Sequence, residues 1–248
     1  MASQLLALIP AYCPGPDLVG LVSGLARESI FDGVMVIDDG SGPHCATIFR
    51  DIEVTTPARV VRHSANLGKG AALKTGLAHA LATTPRLMGV VTADADGQHR
   101  LADIRRVGEV FRATPGKLAL GVRDFVGDVP LRCRIGNLAT RHVFRWVTGQ
   151  LLSDTQTGLR GIPASLIRAL LTLPSNRYEF ETAMLLAATA LGIPFLEQPI
   201  ATLYASANGS SHFDPLLDSF RIYACLARHA MGRLGFEEHA EASGEVIP

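Results

Sequence analysis

The chain has no excess of charge of either sign. Lys and Arg total 23, Asp and Glu total 23, and 23 − 23 leaves a formal net charge of zero. A general nucleic-acid binder needs a basic surface to neutralise phosphates, so no nucleic-acid partner is expected. Long apolar runs are also missing. The longest, around residues 182–196, is broken by Gly192 and Pro194, and falls short of the ~18 residues a spanning helix requires. No basic segment opens the chain ahead of an apolar one, so a secretory leader is not expected. Paired cysteines are lacking too. Cys13, Cys45, Cys133 and Cys225 are far apart in sequence and form no C-x-x-C pair, the pattern of reduced thiols in a reducing compartment. Disorder is excluded by composition, because 48% of the 248 residues are hydrophobic and 19% are charged. What is left is a cytoplasmic protein with an apolar excess to account for.

Short apolar runs at 5–9, 34–37, 59–61, 87–91 and 118–122 predict buried strands. Helix-period apolar positions at 18–26, 70–81 and 104–111 lie between them. This alternation predicts an α/β fold, a mostly parallel central sheet with helices on both faces. The second half adds predicted helices at 135–147, 164–171, 182–191 and 215–231, with extended segments at 195–198 and 201–204. No linker is apparent, so residues 1–234 are expected to form one domain. The Glu-rich stretch 235–248 reads as a solvated tail.

In parallel sheets ligands sit at the carboxyl ends of the strands, and here four successive strands end in polar clusters. They are Pro10-Ala11-Tyr12, Asp38-Asp39-Gly40-Ser41, Asn66-Leu67-Gly68-Lys69-Gly70 and Asp94-Ala95-Asp96-Gly97-Gln98-His99. If the fourth cluster is extended, its period of two puts Asp94 and Asp96 on one side with Gln98 next in phase. Such an oxygen-rich set suits Mg2+ or Mn2+ bridging a diphosphate; the plainer alternative is a pair of acids capping the next helix. Of the adjacent Asp38 and Asp39, one can contact a base or ribose while the other holds the turn, or both can be turn and cap residues. Gly68-Lys69-Gly70 fits neither the Walker nor the dinucleotide pattern, which leaves a helix start with a lysine that can attract an anion. On the helix at 135–147, Arg134, Arg141 and Arg145 share a stripe beside Ile135, Leu138, His142 and Trp146. That stripe reads equally as a membrane-facing surface or as the solvated side of a core helix. The 154–160 loop and Tyr178-Glu179-Phe180-Glu181 carry polar groups that simple capping would also explain.

As a set and in this order, the motifs resemble the family 2 glycosyltransferases, in particular the polyprenyl-phosphate (dolichyl-phosphate) mannose or glucose synthases. The resemblance spans roughly Leu5 to Phe213. It implies a GT-A fold, a nucleotide-sugar donor and a divalent cation. It further implies that Pro10, Ala11, Tyr12, Asp38 and Asp39 hold the nucleoside, with Lys69, Asp94 and Ala95 completing the nucleotide-sugar site. Asp94, Asp96 and Gln98 would bind the metal and donor diphosphate. Arg123 and Arg134 match arginines that meet the acceptor phosphate, with His212 standing where the family has a lysine. Asp154 and Arg160 would complete the sugar and phosphate site. After Tyr12 the chain departs from the family's Asn-Glu, with Cys13-Pro14-Gly15 in that place.

The implied reaction is inverting transfer of a hexose from a nucleotide diphosphate sugar to a polyprenyl phosphate, with Asp96 and Arg160 among the catalytic groups. An anionic phosphate acceptor needs no strong base, whereas a hydroxyl acceptor would need one, for which Asp154 is the candidate. Three alternatives are weighed: a family 2 transferase acting on a glycan hydroxyl, a sugar-nucleotide pyrophosphorylase, and a non-catalytic nucleotide-sugar-binding partner of a membrane assembly. On the 215–231 helix, Leu216, Phe220, Tyr223 and Ala227 are expected to face the core, with Ile222 and Leu226 on a second edge. That edge offers a place for a bilayer or a membrane partner at the inner face of the cytoplasmic membrane.

Overall fold

The computed structural model describes residues 3–123, 131–201, 214 and 216–232, without the side chains of 131–135. Seven strands form one sheet in the order β3-β2-β1-β4-β6-β5-β7. They are β1 (Gln4–Ala11), β2 (Gly33–Asp38), β3 (Arg59–Arg62), β4 (Leu87–Thr92), β5 (Leu118–Arg123), β6 (Arg160–Pro163) and β7 (Phe195–Ile200). All neighbours pair in parallel except β6, which runs antiparallel to both β4 and β5. The five strands predicted in the first half and the one at 195–198 are present. β6 escaped prediction because Arg160-Gly161-Ile162-Pro163 has neither an apolar run nor an alternation to reveal it.

The helices are α1 (Asp17–Arg27), α2 (Ala46–Thr55), α3 (Lys69–Thr83), α4 (Leu101–Ala113), α5 (Leu131–Thr148), α6 (Ala164–Thr172), α7 (Glu179–Ala190) and α8 (Leu217–Ala230). α2 was not foreseen; it follows a 3-10 turn at Pro43–Cys45 and buries only Phe49 and Ile52. Period-two alternation along the strands feeds two cores. Leu5, Ala7, Ile9 and Val36 pack with α1, α2 and α4 on one face, and Leu8, Met35, Ile37 and Val90 pack with α3, α6 and α7 on the other. α7 is buried on nearly every side, in keeping with a sequence that is apolar all round from Ala183 to Ala188.

α8 reverses expectation, and on α5, where the sequence left two readings open, the Leu138, His142 and Trp146 side stands outward. On α8 the residues expected in the core are outside, with Leu216 86% and Phe220 71% exposed and Ala227 also at the surface. The expected outer edge, Ile222 and Leu226, is buried with Asp218 and Cys225. On α5 Trp146 is 82% and Leu138 50% exposed, while the buried positions include the polar Asn137 and Thr140 beside Phe144. The extended segment expected at 201–204 lies, after Ala201, outside the described residues.

α4 lies directly on the sheet because Gly89 and Gly161 leave room for the Phe111 ring. A Cβ at Gly89 would overlap both that ring and the Ile162 carbonyl, and one at Gly161 would come within 2.7 Å of the ring. Gly89→Ala is therefore expected to destabilise the protein by about 1–3 kcal/mol through overpacking. A lowered denaturant midpoint at unchanged slope checks it; wild-type stability would mean that β4 and β6 can separate freely.

Candidate active site

Because β1, β2, β4 and β5 run in one direction, their carboxyl ends share one edge of the sheet. β6 runs the other way, so it begins at that edge, with Arg160 opposite Thr92. The topology thus gathers Pro10–Tyr12, Asp38–Ser41, Asp94–Gln98, Arg123 and the 154–160 loop at one crevice.

On its β1–β2 side, Ala11 is in register with Asp38. Pro10 and Ala11 are buried, and Tyr12 is half-buried at the mouth. The two adjacent aspartates divide their work. Asp38 Oδ1 accepts the Ser41 N–H at 2.9 Å and holds the turn. Asp39 is almost fully buried and fastens β2 to the start of α3: its oxygens accept the N–H groups of Leu67 (3.0 Å) and Gly68 (2.8 Å). Its Oδ1 also lies 2.7 Å from His63 Nδ1, whose Nε2 reaches Thr75 at 2.9 Å. With those contacts in place, Asp38 is the more available of the pair for a ligand.

At the centre stands Lys69, the first residue of α3. Its Nζ lies 2.6 Å from Asp94 Oδ1 and 3.0 Å from Glu181 Oε1, and 5.8 Å from the centre of the Tyr178 ring. Burial pulls the Lys69 ammonium toward neutrality, but Asp94 and Glu181 outweigh it and raise its pKa. Burial likewise opposes ionisation of Asp94, and Lys69 with His99 (Nε2 to Oδ2, 3.4 Å) reverses that, so its pKa falls well below the carboxylate range. Two glycines let α3 come this close to α7. A Cβ on Gly68 would meet the Asn176 carbonyl at 2.5 Å, and one on Gly70 the Phe180 Cβ at 2.6 Å.

Asp94 and Asp96 do not alternate along an extended segment. The chain turns at Ala95 and Asp96, and Gly97 takes φ +75°. The Gln98 N–H donates to Asp96 Oδ1 at 3.0 Å, which fixes Asp96 by a local turn rather than by pleating. Nor do these acids cap the following helix, since α4 has no side-chain cap. Desolvation, then the charge of Asp94, raises the Asp96 pKa. Asp96 is thus the acid of the cluster whose negative charge lacks full compensation. The oxygen donors Asp94, Asp96 and Gln98 with this uncompensated charge fit a hard divalent cation.

The 154–160 loop is a scaffold built around buried charge. Asp154 is 0% exposed and takes the Arg123 fork through Nε (2.6 Å) and Nη2 (3.0 Å), while Gln156 N–H donates to its Oδ1 at 3.0 Å. Arg160 is fully buried, and donates to the carbonyls of Thr157 (2.8 Å), Glu181 (2.5 Å) and Thr155 (3.2 Å). Asn137 of α5 reaches the same loop, with Oδ1 accepting the Thr155 N–H at 3.3 Å. These contacts make Asp154 and Arg160 holders of Arg123 and of the loop. Arg134 lies on α5 but its side chain is outside the described residues, as is the whole of His212. Sequence reasoning gave Glu181 and His99 no part in the site. An acid at the start of an apolar helix was the only signal for the first, and for His99 its place directly after the acidic motif.

Comparison with known proteins accords with this geometry. Residues 7–169 match the model of glycosyl transferase family 2. The chain is 27% identical over 254 residues to a UDP-N-acetylglucosamine–dolichyl-phosphate N-acetylglucosaminyltransferase of Methanococcus voltae, covering 94% of this chain and 99% of that one. It is 29% identical over 206 residues to an uncharacterized protein of Methanocaldococcus jannaschii, covering 81% and 82% respectively. Among solved structures, glucosyl-3-phosphoglycerate synthase of Mycobacterium tuberculosis, in complex with Mn2+, UDP and glucosyl-3-phosphoglycerate, superposes with a TM-score of 0.70 at 18% identity. That match covers 93% of this chain and 81% of the synthase. The fold is the GT-A fold of nucleotide-sugar transferases. This chain belongs to glycosyl transferase family 2.

Two substitutions separate the roles of the cluster. Lys69→Met leaves Asp94 and Glu181 without their cation and is expected to cost about 3 kcal/mol, the low end for a broken buried pair because Asp94 keeps some exposure. Asp94 has a depressed folded pKa, so its contribution is present above the unfolded value of about 3.9 and is lost as pH falls through the folded one. The Lys69→Met deficit should accordingly shrink in strong acid. Asp96 has the opposite sign, since its raised pKa makes the ionised form oppose folding above about pH 4. Asp96→Asn should therefore raise Tm at pH 7, by roughly 2–4 °C for each kcal/mol gained, and the gain should vanish below pH 4. Thermal unfolding across pH 2–8 measures both, and a lower Tm for Asp96→Asn at pH 7 would contradict this reading.

Proposed function

We propose that the protein transfers a sugar, with inversion, from a nucleotide diphosphate sugar to a polyprenyl phosphate. The observation that carries the acceptor class is the Arg123–Asp154 pair. A hydroxyl acceptor needs a base to take its proton, and the buried Asp154 carboxylate, the candidate for that task, is engaged by Arg123 and Gln156. A lipid phosphate is already anionic and requires a cation to receive it. Arg123, held by a fork at the end of β5, supplies one. Arg134 and His212 are proposed as its companions at the acceptor phosphate.

The donor is proposed to lie along the β1–β2 side, its nucleoside against Pro10, Ala11, Tyr12 and Asp38, with Asp39 fixing the wall behind. Asp94, Asp96 and Gln98 would hold Mg2+ or Mn2+, as the Mn2+ complex of the Mycobacterium tuberculosis synthase also suggests. The ion would supply charge neutralisation for the leaving diphosphate. Lys69 and His99 keep Asp94 ionised and fixed in place, and Asp96 brings the negative charge that the ion would neutralise. Arg160 keeps the 154–160 loop and α7 in register. The Methanococcus voltae relative favours a UDP-sugar and a dolichyl-type acceptor, and UDP-N-acetylglucosamine joins mannose and glucose donors as a candidate. Donor turnover distinguishes this enzyme from a non-catalytic nucleotide-sugar binder, and retention of the sugar in a lipid product distinguishes it from a pyrophosphorylase.

Arg123→Lys keeps the charge and loses the fork. It is expected to lower transfer to polyprenyl phosphate at least about tenfold, as loss of one charge-assisted bond of ~1.5–3 kcal/mol implies, while donor hydrolysis changes little. Radiolabelled UDP-N-acetylglucosamine, UDP-glucose and GDP-mannose, each assayed with and without lipid phosphate, provide the measurement. Equal loss of both activities would remove Arg123 from the acceptor side.

A lipid acceptor calls for a surface that meets the bilayer, and no helix among the described residues is long and apolar enough to cross one. The outer faces of α5 and α8 supply such a surface. Trp146, Phe220 and Leu216 stand out of the protein, and α5 contains four arginines (132, 134, 141 and 145) and no acid. Aromatic and basic residues on an amphipathic helix favour an anionic interface. Flotation of the full chain with phosphatidylglycerol vesicles is expected, with less on phosphatidylcholine, and Trp146→Ser with Phe220→Ser should reduce it several-fold without changing Tm. Binding unaffected by that pair would exclude this face.

A further inference from the structure

A second cluster, built of sulfur and nitrogen rather than oxygen, lies where the loops after β1 and β2 meet. We infer that Cys13, His44 and Cys45 bind a soft divalent cation, Zn2+ above all, through two thiolates and one imidazole nitrogen. The sequence separates Cys13 from the other two, but β1 and β2 are parallel neighbours, and both chains leave the sheet at the same edge. One ligand atom from each of the three residues lies within 4.8 Å of the other two. Around a tetrahedral zinc with Zn–S about 2.3 Å and Zn–N about 2.0–2.1 Å, neighbouring ligand atoms are roughly 3.5–4 Å apart. Small side-chain rotations close that difference.

The backbone is shaped to hold Cys13 there. Among the described residues it is the only non-glycine with positive φ, at +45°, a conformation costing on the order of 1–3 kcal/mol. Its N–H donates to Ser41 Oγ at 2.9 Å and its thiol to the Ser41 carbonyl at 3.7 Å, while Ser41 is itself held by Asp38. On the other side Pro43 opens the 3-10 turn that presents His44 and Cys45 together. Cys45 is buried and His44 exposed, so an ion can enter past the imidazole and keep an outward position for water. Burial first, then Cys13 and Asp38, raise the pKa of the Cys45 thiol, so the bound metal itself must drive its deprotonation. Two sulfurs and a nitrogen select a softer metal than the oxygen donors Asp94, Asp96 and Gln98, so the two sites would not compete for one ion. Binding converts both thiols to thiolates and releases their two protons to solvent, with no change of oxidation state.

Zn2+ titration of the full chain, reduced with a phosphine and competed against a chromophoric chelator, tests the site without any donor present. One equivalent of Zn2+ is expected with release of protons, and Co2+ in its place should give the sulfur-to-metal charge-transfer band of thiolate ligation. Cys13→Ser and Cys45→Ser should weaken Zn2+ by more than the roughly 10–100-fold that loss of an outer-shell partner costs. His44→Ala should weaken it at least about tenfold, and Asp96→Asn should leave it unchanged. Should the buried Cys45 variant fail to fold, His44→Ala, on an exposed side chain, still decides. Affinity indifferent to these three residues, or lost with Asp96→Asn alone, overturns the proposal. So does a Cys13–Cys45 disulfide in protein isolated without reductant, if the reduced form takes up no zinc.

Discussion

The site depends on how one buried ammonium is compensated. Lys69 opens α3, Asp94 ends β4 and Glu181 lies in the first turn of α7, and the three charges meet within 3.0 Å. A lysine taken this far out of water must be paired, and the pairing specifies where three elements stand relative to one another. Gly68 and Gly70 follow from the same constraint. They are close-packing glycines that let α3 approach Asn176 and Phe180, not the glycines of a phosphate loop. With Asp94 satisfied by Lys69 and His99, the residual negative charge of the cluster falls on Asp96. That asymmetry gives two neighbouring carboxylates different work: one is tied into the scaffold, and the other is left with charge that a cation would neutralise.

A second buried pair repeats the arrangement at the end of β5. Asp154 and Arg123 are joined by a fork, and Arg160 crosses beneath them to the carbonyls of the same loop and of α7. Charged residues in a crevice are not all equally available to a ligand. Asp39, Asp154 and Arg160 are the most deeply buried of the charged motif residues, and each is engaged by protein partners on more than one side. Asp38, Asp96 and the half-exposed Tyr12 line the remainder. Motif membership identifies the crevice, and burial with hydrogen bonding then separates the residues that build it from those that face into it.

The strand-end placement of the clusters was legible in the sequence because it rests on two robust signals, apolar runs and the polar residues that end them. The geometry inside each cluster was not. Asp94 and Asp96 were expected to alternate, but φ +75° at Gly97 and the Gln98 N–H bond replace the extended chain with a turn; a glycine directly after Asp96 was the available hint. Glu181 is distant in sequence from Lys69 and Asp94, and only the packing of α7 on α3 unites them. β6 could not be read because four residues containing Gly and Pro carry no period, and its antiparallel sense is what delivers Arg160 to the crevice. The cysteines seemed unrelated for a similar reason, since parallel neighbours bring together residues that sequence spacing keeps apart.

The reversed face of α8 and the open question of α5 have a different cause. Helical period divides residues into stripes but does not say which stripe turns inward. On α8 both stripes are apolar, and the inward one, with Ile222, Cys225 and Leu226, also carries the buried Asp218, which accepts the Asp214 N–H and pairs with Arg221 within the helix itself. On α5 the inward side is polar because Asn137 and Thr140 must reach the 153–156 loop. Phe144 goes inward with them, while Leu138 and Trp146 stay outside. The neutrality of the chain and its apolar excess are therefore one feature. Acids concentrate at the strand ends, arginines concentrate on α5, and apolar residues that the core does not use, Leu138 and Trp146, stand exposed on that same helix.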